Sequence, residues 1–244
     1  MNKQINSLQG LRIFLFIIIF FFHADIFIEK DTLGSAIVNG GGGMLAVSVF
    51  FVLSGFVTGL KKKKCKIIRN ITQKTKKFYP LHILFLIMMA VLPYNLLSII
   101  HTTQGKISLI LNSLLLQSWI PKAEIWRGFN GPSWYLSTLV FMFAITPLLE
   151  ILDDKITQDN KKKVGRYCII ILLAIVISFV LPAIINQNVE YWLYAFPPSR
   201  VLDYGSGFFA ARLLLEKKGQ VFKSQVLTFT CEVFCVLYFS SILA

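Results

Sequence analysis

The chain is expected to be an all-α, polytopic bundle of transmembrane helices, with about seven crossings plus one short interfacial or re-entrant helix. Three observations predict this. Apolar residues fill 55% of the 244 positions and charged residues only 15%, whereas an average soluble domain is about 25% charged. Mean hydropathy is +0.66. The apolar residues also gather into segments that approach the roughly 20 residues needed to cross about 30 Å of hydrocarbon. Twenty-two Phe exclude a disordered chain, because such chains lack aromatic and β-branched residues.

The first segment, Leu11–Ile28, is too long for a signal-peptide core, and no small-residue cleavage site follows it. It reads as a retained span. Met44–Leu60, Phe78–Ile100, Trp134–Leu152, Tyr167–Ile185, Val201–Leu215 and Val226–Ala244 follow. Val201–Leu215 is the weakest of these, being short and holding Asp203, Gly205 and Gly207. Ile107–Ile120, at 14 residues, suits an interfacial or re-entrant helix better than a crossing. One domain, residues 1–244, is expected to hold all of them.

Net charge is +13, a value that would fit a nucleic-acid binder if the charges formed a surface patch. They do not. Nine basic residues and no acidic one lie in Lys61–Lys77, five basic residues in Asp153–Arg166 and three in Glu216–Gln225. With Lys3 and Arg12, nineteen of the twenty-five cations fall on one side if Ile107–Ile120 does not cross. The positive-inside rule then places the N-terminus in the cytoplasm and the C-terminus outside. The partner implied is a lipid bilayer, and no nucleic acid. The four Cys include no CxxC pair, so neither a disulfide framework nor a metal site is expected.

Polar groups inside spans are costly and point to function. Arg12 and His23 are eleven residues apart, almost three helical turns, so they share a face about 16 Å apart along the axis. Asp25 points to the opposite side. An inward Arg in line with a His describes a polar track leading from the cytoplasm to a proton-transfer group. Phe50–Phe56 closes the second span. Within it Gly55, with Gly59, has a small-xxx-small spacing that favours close helix packing. Ser54 could serve as a nucleophile, but no partner base is visible in sequence, and it reads as a positioning or packing residue. His82 and His101 are assigned no catalytic part.

Leu8-Gln9-Gly10-Leu11-Arg12, ten residues and then His23 resemble the opening of the acyltransferase 3 family of integral membrane acyltransferases. Phe50-Phe51-Val52-Leu53-Ser54-Gly55-Phe56 resembles that family's FFxxSGF motif in full. Lys74-Thr75-Lys76-Lys77-Phe78-Tyr79-Pro80 resembles its basic-x-x-basic pair before an aromatic-Pro step. Lys74 and Lys77 stand where Arg is usual, keeping the charge without the planar fork. Ser133–Leu136 and Pro197–Gly207 resemble looser landmarks. With seven expected spans against about ten in the family, the chain reads as shortened at its C-terminus.

The resemblance implies transfer of an acyl group, commonly acetyl, from acyl-CoA to a hydroxyl of a carbohydrate or cell-surface molecule, at the plasma membrane. Acyl-CoA is then a substrate, and no bound cofactor or metal is implied. His23 would be the catalytic base, because imidazole titrates near neutrality. Arg12, Lys74 and Lys77 would bind the donor, the lysines by attracting phosphate. Trp134 and Tyr135 stand where an outside sugar could stack, but they are read as interface anchors. The alternatives are a transporter or flippase, whose intramembrane Arg and His line a path, and an inactive structural subunit.

Overall fold

The computed structural model describes residues 6–24, 42–61, 66–91, 101–157, 163–185 and 187–216. Among these residues every regular element is helical. The α-helices are α1 (Asn6–His23), α2 (Gly42–Gly59), α3 (Ile67–Thr75), α4 (Tyr79–Val91), α5 (Thr103–Ser113), α6 (Ala123–Trp126), α7 (Trp134–Thr157), α8 (Lys163–Ile184) and α9 (Val201–Glu216). Asp25, the end of Phe78–Ile100, the span Val226–Ala244, and Cys65, Cys231 and Cys235 lie outside the described residues. Two described helical stretches, Gly42–Gly59 and Gly131–Thr157, are long and apolar enough to cross a membrane, while the apolar Leu8–His23 and Tyr79–Val91 are shorter. The chain folds as two compact units. The first comprises Met1–Lys62, Ile156–Val180 and Leu202–Ala244, and the second Lys63–Lys155 and Leu181–Val201.

In the first unit α1 packs against α2. Leu15, Ala46 and Leu53 are buried together, with Leu8, Ile18, Ile19, Val49 and Phe50 around them. Phe22, late in α1, fills the space over Gly43, early in α2, so the two helices run antiparallel; a Cβ at Gly43 would stand 2.2 Å from the Phe22 ring. On its other side α2 meets α9 at backbone distance. A Cβ at Gly55 would lie 1.9 Å from the Tyr204 carbonyl oxygen, one at Gly59 2.5 Å from that of Phe208, and one at Gly207 2.0 Å from that of Val52. Small residues are what such a crossing requires. The Tyr167 ring of α8 lies against Phe209, and Lys163 pairs with Glu216.

The second unit is built around α7. Pro132 stands in the 3-10 turn Gly131–Ser133 that leads into it, where a missing N–H costs nothing. Pro147 is different, since it lies inside the helix and leaves the carbonyl four residues back without its donor. That carbonyl belongs to Phe143, and Asn70 of α3, itself buried, donates to it through Nδ2 at 2.7 Å. The amphipathic α3 is thereby docked on the gap that the proline opens.

The stretch expected as a helix over Ile107–Ile120 is α5, Thr103–Ser113, followed by a 3-10 turn at Gln117–Trp119. Its start is earlier because the Thr102 hydroxyl accepts from Gly105 N, an N-cap that hydropathy does not register. Its end is earlier because Leu115 adopts φ 55°. Leu116 N then reaches the Leu111 carbonyl and Leu115 N that of Asn112, the Schellman pattern, with a buried Leu in the place usually given to Gly. α5 lies beside α4, where Tyr79 donates its hydroxyl to Ser113 O at 3.0 Å. The start of α4 thus meets the end of α5, as in a hairpin. At 11 residues and 1.5 Å of rise each, α5 is too short to cross.

Candidate active site

α1 is one unbroken helix from Asn6 to His23. At 100° per residue, Leu8, Arg12, Leu15, Ile19 and His23 fall within about 80° of arc. Leu8, Leu15 and Ile19 are the residues that pack toward α2, so Arg12 and His23 share the face turned to that helix. The two side chains remain about three turns apart. Arg12 is half-buried, while His23 is exposed, at the last position of α1. The Phe22 ring meets it edge-on at 5.3 Å.

The Phe50–Phe56 motif serves two neighbours at once. Phe50 and Leu53 face the α1 cluster, and Gly55 faces α9. Ser54 falls between these two sides of α2, half-buried, and its carbonyl accepts the Thr58 hydroxyl at 2.8 Å. The close packing expected of Gly55 and Gly59 is therefore present, and its partner is α9. Sequence reasoning missed Gly207 in this role, although its spacing within an otherwise apolar segment was the available signal. It also passed over Asp203, which is buried in the first turn of α9, an end of the helix that favours a carboxylate.

Lys74 and Lys77 belong to the second unit and occupy different surroundings. Lys74 lies one turn beyond Asn70, on the same face of α3, with its Nζ 4.4 Å from the centre of the Phe143 ring. A cation held over an aromatic face gains attraction from the ring quadrupole. Lys77 is exposed in the turn between α3 and α4. The contact that docks α3 therefore also places Lys74.

Elsewhere in this unit a buried polar ladder joins α5 to the start of α7. Asn112 Nδ2 donates to Ser108 O and Ile125 O, and Gln117 Nε2 donates to Ser133 O. Ser108 also walls a cavity of about 340 Å³ beside Glu124 and Phe129. Trp134 is not free to stack a sugar. It is 5% exposed and its ring lies 4.5 Å from that of Tyr194. Tyr191 and Tyr194 sit in a π-helix, Glu190–Ala195, a rare element that is frequent at functional sites; Arg127 pairs with Glu190 at its start.

Burial pushes the Tyr191 phenol up to about 12, and its hydroxyl donates to Ser118 O at 3.1 Å. Burial also raises Tyr194, against the opposing pull of Arg200 and Arg127. The folded chain thus keeps the Tyr191 proton at a pH where the unfolded chain has begun to lose it. That stabilisation is whole below pH 10 and is lost as pH rises through about 12. The melting temperature is expected to fall across this interval, and to fall less in Tyr191→Phe. Equal slopes in the two proteins would contradict the assignment.

A family model described as an acyltransferase domain matches residues 5–243. The chain is 34% identical over 160 residues to acyltransferase MdmB of Streptomyces mycarofaciens; the match covers 63% of this chain and 41% of that protein's length. No solved structure matches.

Proposed function

The chain belongs to the acyltransferase 3 family, and from that premise we propose that it transfers an acyl group, chiefly acetyl, from acyl-CoA to a hydroxyl of a carbohydrate or cell-surface molecule. The observation that carries this reading is the face of α1. Arg12 and His23 stand in line on it, toward the helix that bears Phe50–Phe56, within a chain that the family model covers almost end to end.

In the proposed reaction His23 takes the proton of the acceptor hydroxyl. The oxygen attacks the thioester carbonyl, the carbon–sulfur bond breaks, and CoA leaves as a thiolate that takes up the proton which protonated His23 gives back. General-base help of this kind is worth about 10²–10⁴ in rate. The thioester is already activated, so acyl transfer along this route needs no further cofactor. Arg12 binds the donor with its guanidinium fork, and Lys74 and Lys77 supply positive charge for its phosphates. Ser54, set between the two packed faces of α2, positions rather than reacts.

We place the enzyme in the plasma membrane as seven crossings, with the N-terminus in the cytoplasm and α5 re-entrant or interfacial. The cationic run Lys61–Lys77 then lies on the side where acyl-CoA is made. A reporter inserted within 61–77 is expected to read cytoplasmic and one within 30–43 external. Both on one side would defeat this topology.

Donor binding is tested by Arg12→Lys and by neutralising Lys74 and Lys77 together. Each is expected to raise KM for acetyl-CoA about tenfold, the weight of a hydrogen bond to a charged group, with KM for the acceptor little changed. Equal effects on both substrates would assign these cations to folding or topology.

A further inference from the structure

His23 ends α1 as an exposed side chain, and among the described residues no hydrogen bond fixes its imidazole. An unheld ring samples the staggered χ1 wells and a roughly two-fold χ2. A base must instead keep one nitrogen on the acceptor hydroxyl, since a displacement of about 1 Å costs on the order of 10² in rate. The contact that restrains the ring comes from its neighbour in the chain. The Phe22 and His23 rings lie 5.3 Å apart at 77°. In this edge-to-face arrangement the positive rim of one aromatic ring meets the negative face of the other.

Phe22 can restrain its neighbour because it is itself held. It stands one turn beyond Ile18 and Ile19, which pack against the cluster of Leu15, Ala46 and Leu53, and so continues the side of α1 that faces α2. There the ring rests on Gly43, in the first turn of α2. A Cβ at Gly43 would stand 2.2 Å from Phe22 Cγ and 2.6 Å from both Cδ atoms, so the seat exists only while residue 43 is glycine.

We propose that Phe22, seated on Gly43, is a positioning residue that orients the His23 imidazole for proton transfer. This rests on the reading of His23 as the base, given above. Phe22 acts on the imidazole and not on either substrate, so its loss is felt in kcat rather than in KM.

The test is steady-state kinetics of the full chain in lipid with acetyl-CoA and extracted cell-surface glycan. Wild type is compared with Phe22→Leu, Phe22→Tyr, Gly43→Ala and the double variant Phe22→Leu/Gly43→Ala. The Hε1 resonance of His23 is followed alongside by NMR with labelled histidine, and is identified by its loss in His23→Ala. Phe22→Leu and Gly43→Ala are each expected to lower kcat about two- to tenfold, the weight of one aromatic pair. KM for both substrates is expected to stay unchanged, while Hε1 shifts as the ring current beside it is removed or displaced. Phe22→Tyr keeps the ring and is expected to keep both kcat and the resonance. The double variant is expected to lose no more than either single one, because both changes remove the same contact.

An unchanged kcat in folded Phe22→Leu, or an Hε1 resonance that stays in place there, would overturn the assignment while leaving His23 as the base. Full activity in His23→Ala would remove both. Should Gly43→Ala fail to fold, the contrast between Phe22→Leu and Phe22→Tyr decides the matter.

Discussion

His23→Ala is expected to abolish acyl transfer while leaving membrane insertion and folding nearly intact. The side chain is exposed at the end of α1, and removing it opens no cavity, so its loss is felt by a proton rather than by packing. A rate loss of about 10²–10⁴ is the expected size, and a tenfold loss would be too small for a base. Insertion is followed by protease protection and folding by thermal denaturation. A variant that keeps its activity, or one that loses it only by failing to fold, would remove His23 from the proposed role.

Gly55→Ala is expected to have the largest effect on the fold. Its Cβ would stand 1.9 Å from the backbone oxygen of Tyr204, a position that only a shift of α2 against α9 can relieve. Overpacking of this kind costs about 1–3 kcal/mol or more, and each kcal/mol lowers Tm by about 2–4 °C in a chain of this size. Gly207→Ala, opposed by Val52 O at 2.0 Å, is expected to behave alike. Gly205→Ala provides the contrast. It lies inside the same helix, but a Cβ there meets nothing within 4 Å, so trading a helical Gly for Ala is expected to stabilise by about 0.5–1 kcal/mol. Three variants with the same Tm would show that the crossing does not depend on close approach.

Much of the helical framework was legible because hydrophobic runs and their breakers are local. The start of α7 at Trp134 follows from the Pro132 turn before it, and α9 begins at Val201 behind Pro197 and Pro198. Hydropathy set the end of α7 too early, at Leu152. Asp153, Asp154 and Lys155 interrupt the apolar run without interrupting the helix. α5 was misplaced for a related reason, since a Thr cap and a left-handed Leu115 decide its ends.

The site was legible only along a single helix. That Arg12 and His23 share a face is arithmetic on one segment, and Gly55 with Gly59 announces a crossing by spacing. Which helix crosses there is a tertiary fact, and α9 looked least like a span because of the very glycine, Gly207, that the contact uses. Asn70 shows the same limit. Pro147 in the sequence says that a carbonyl is released, but nothing local says that Asn70 collects it. His82 is a similar case, since its contact with the Asn112 carbonyl follows only from the pairing of α4 with α5.

Incubating the purified chain in lipid with acetyl-CoA labelled in its acetyl group, together with extracted cell-surface glycan, tests the proposed activity most directly. One free thiol released for each label transferred to glycan, with both lost in His23→Ala, is the expected result. A chain that leaves the thioester intact, or that moves solute across vesicles with no need of acyl-CoA, would contradict it.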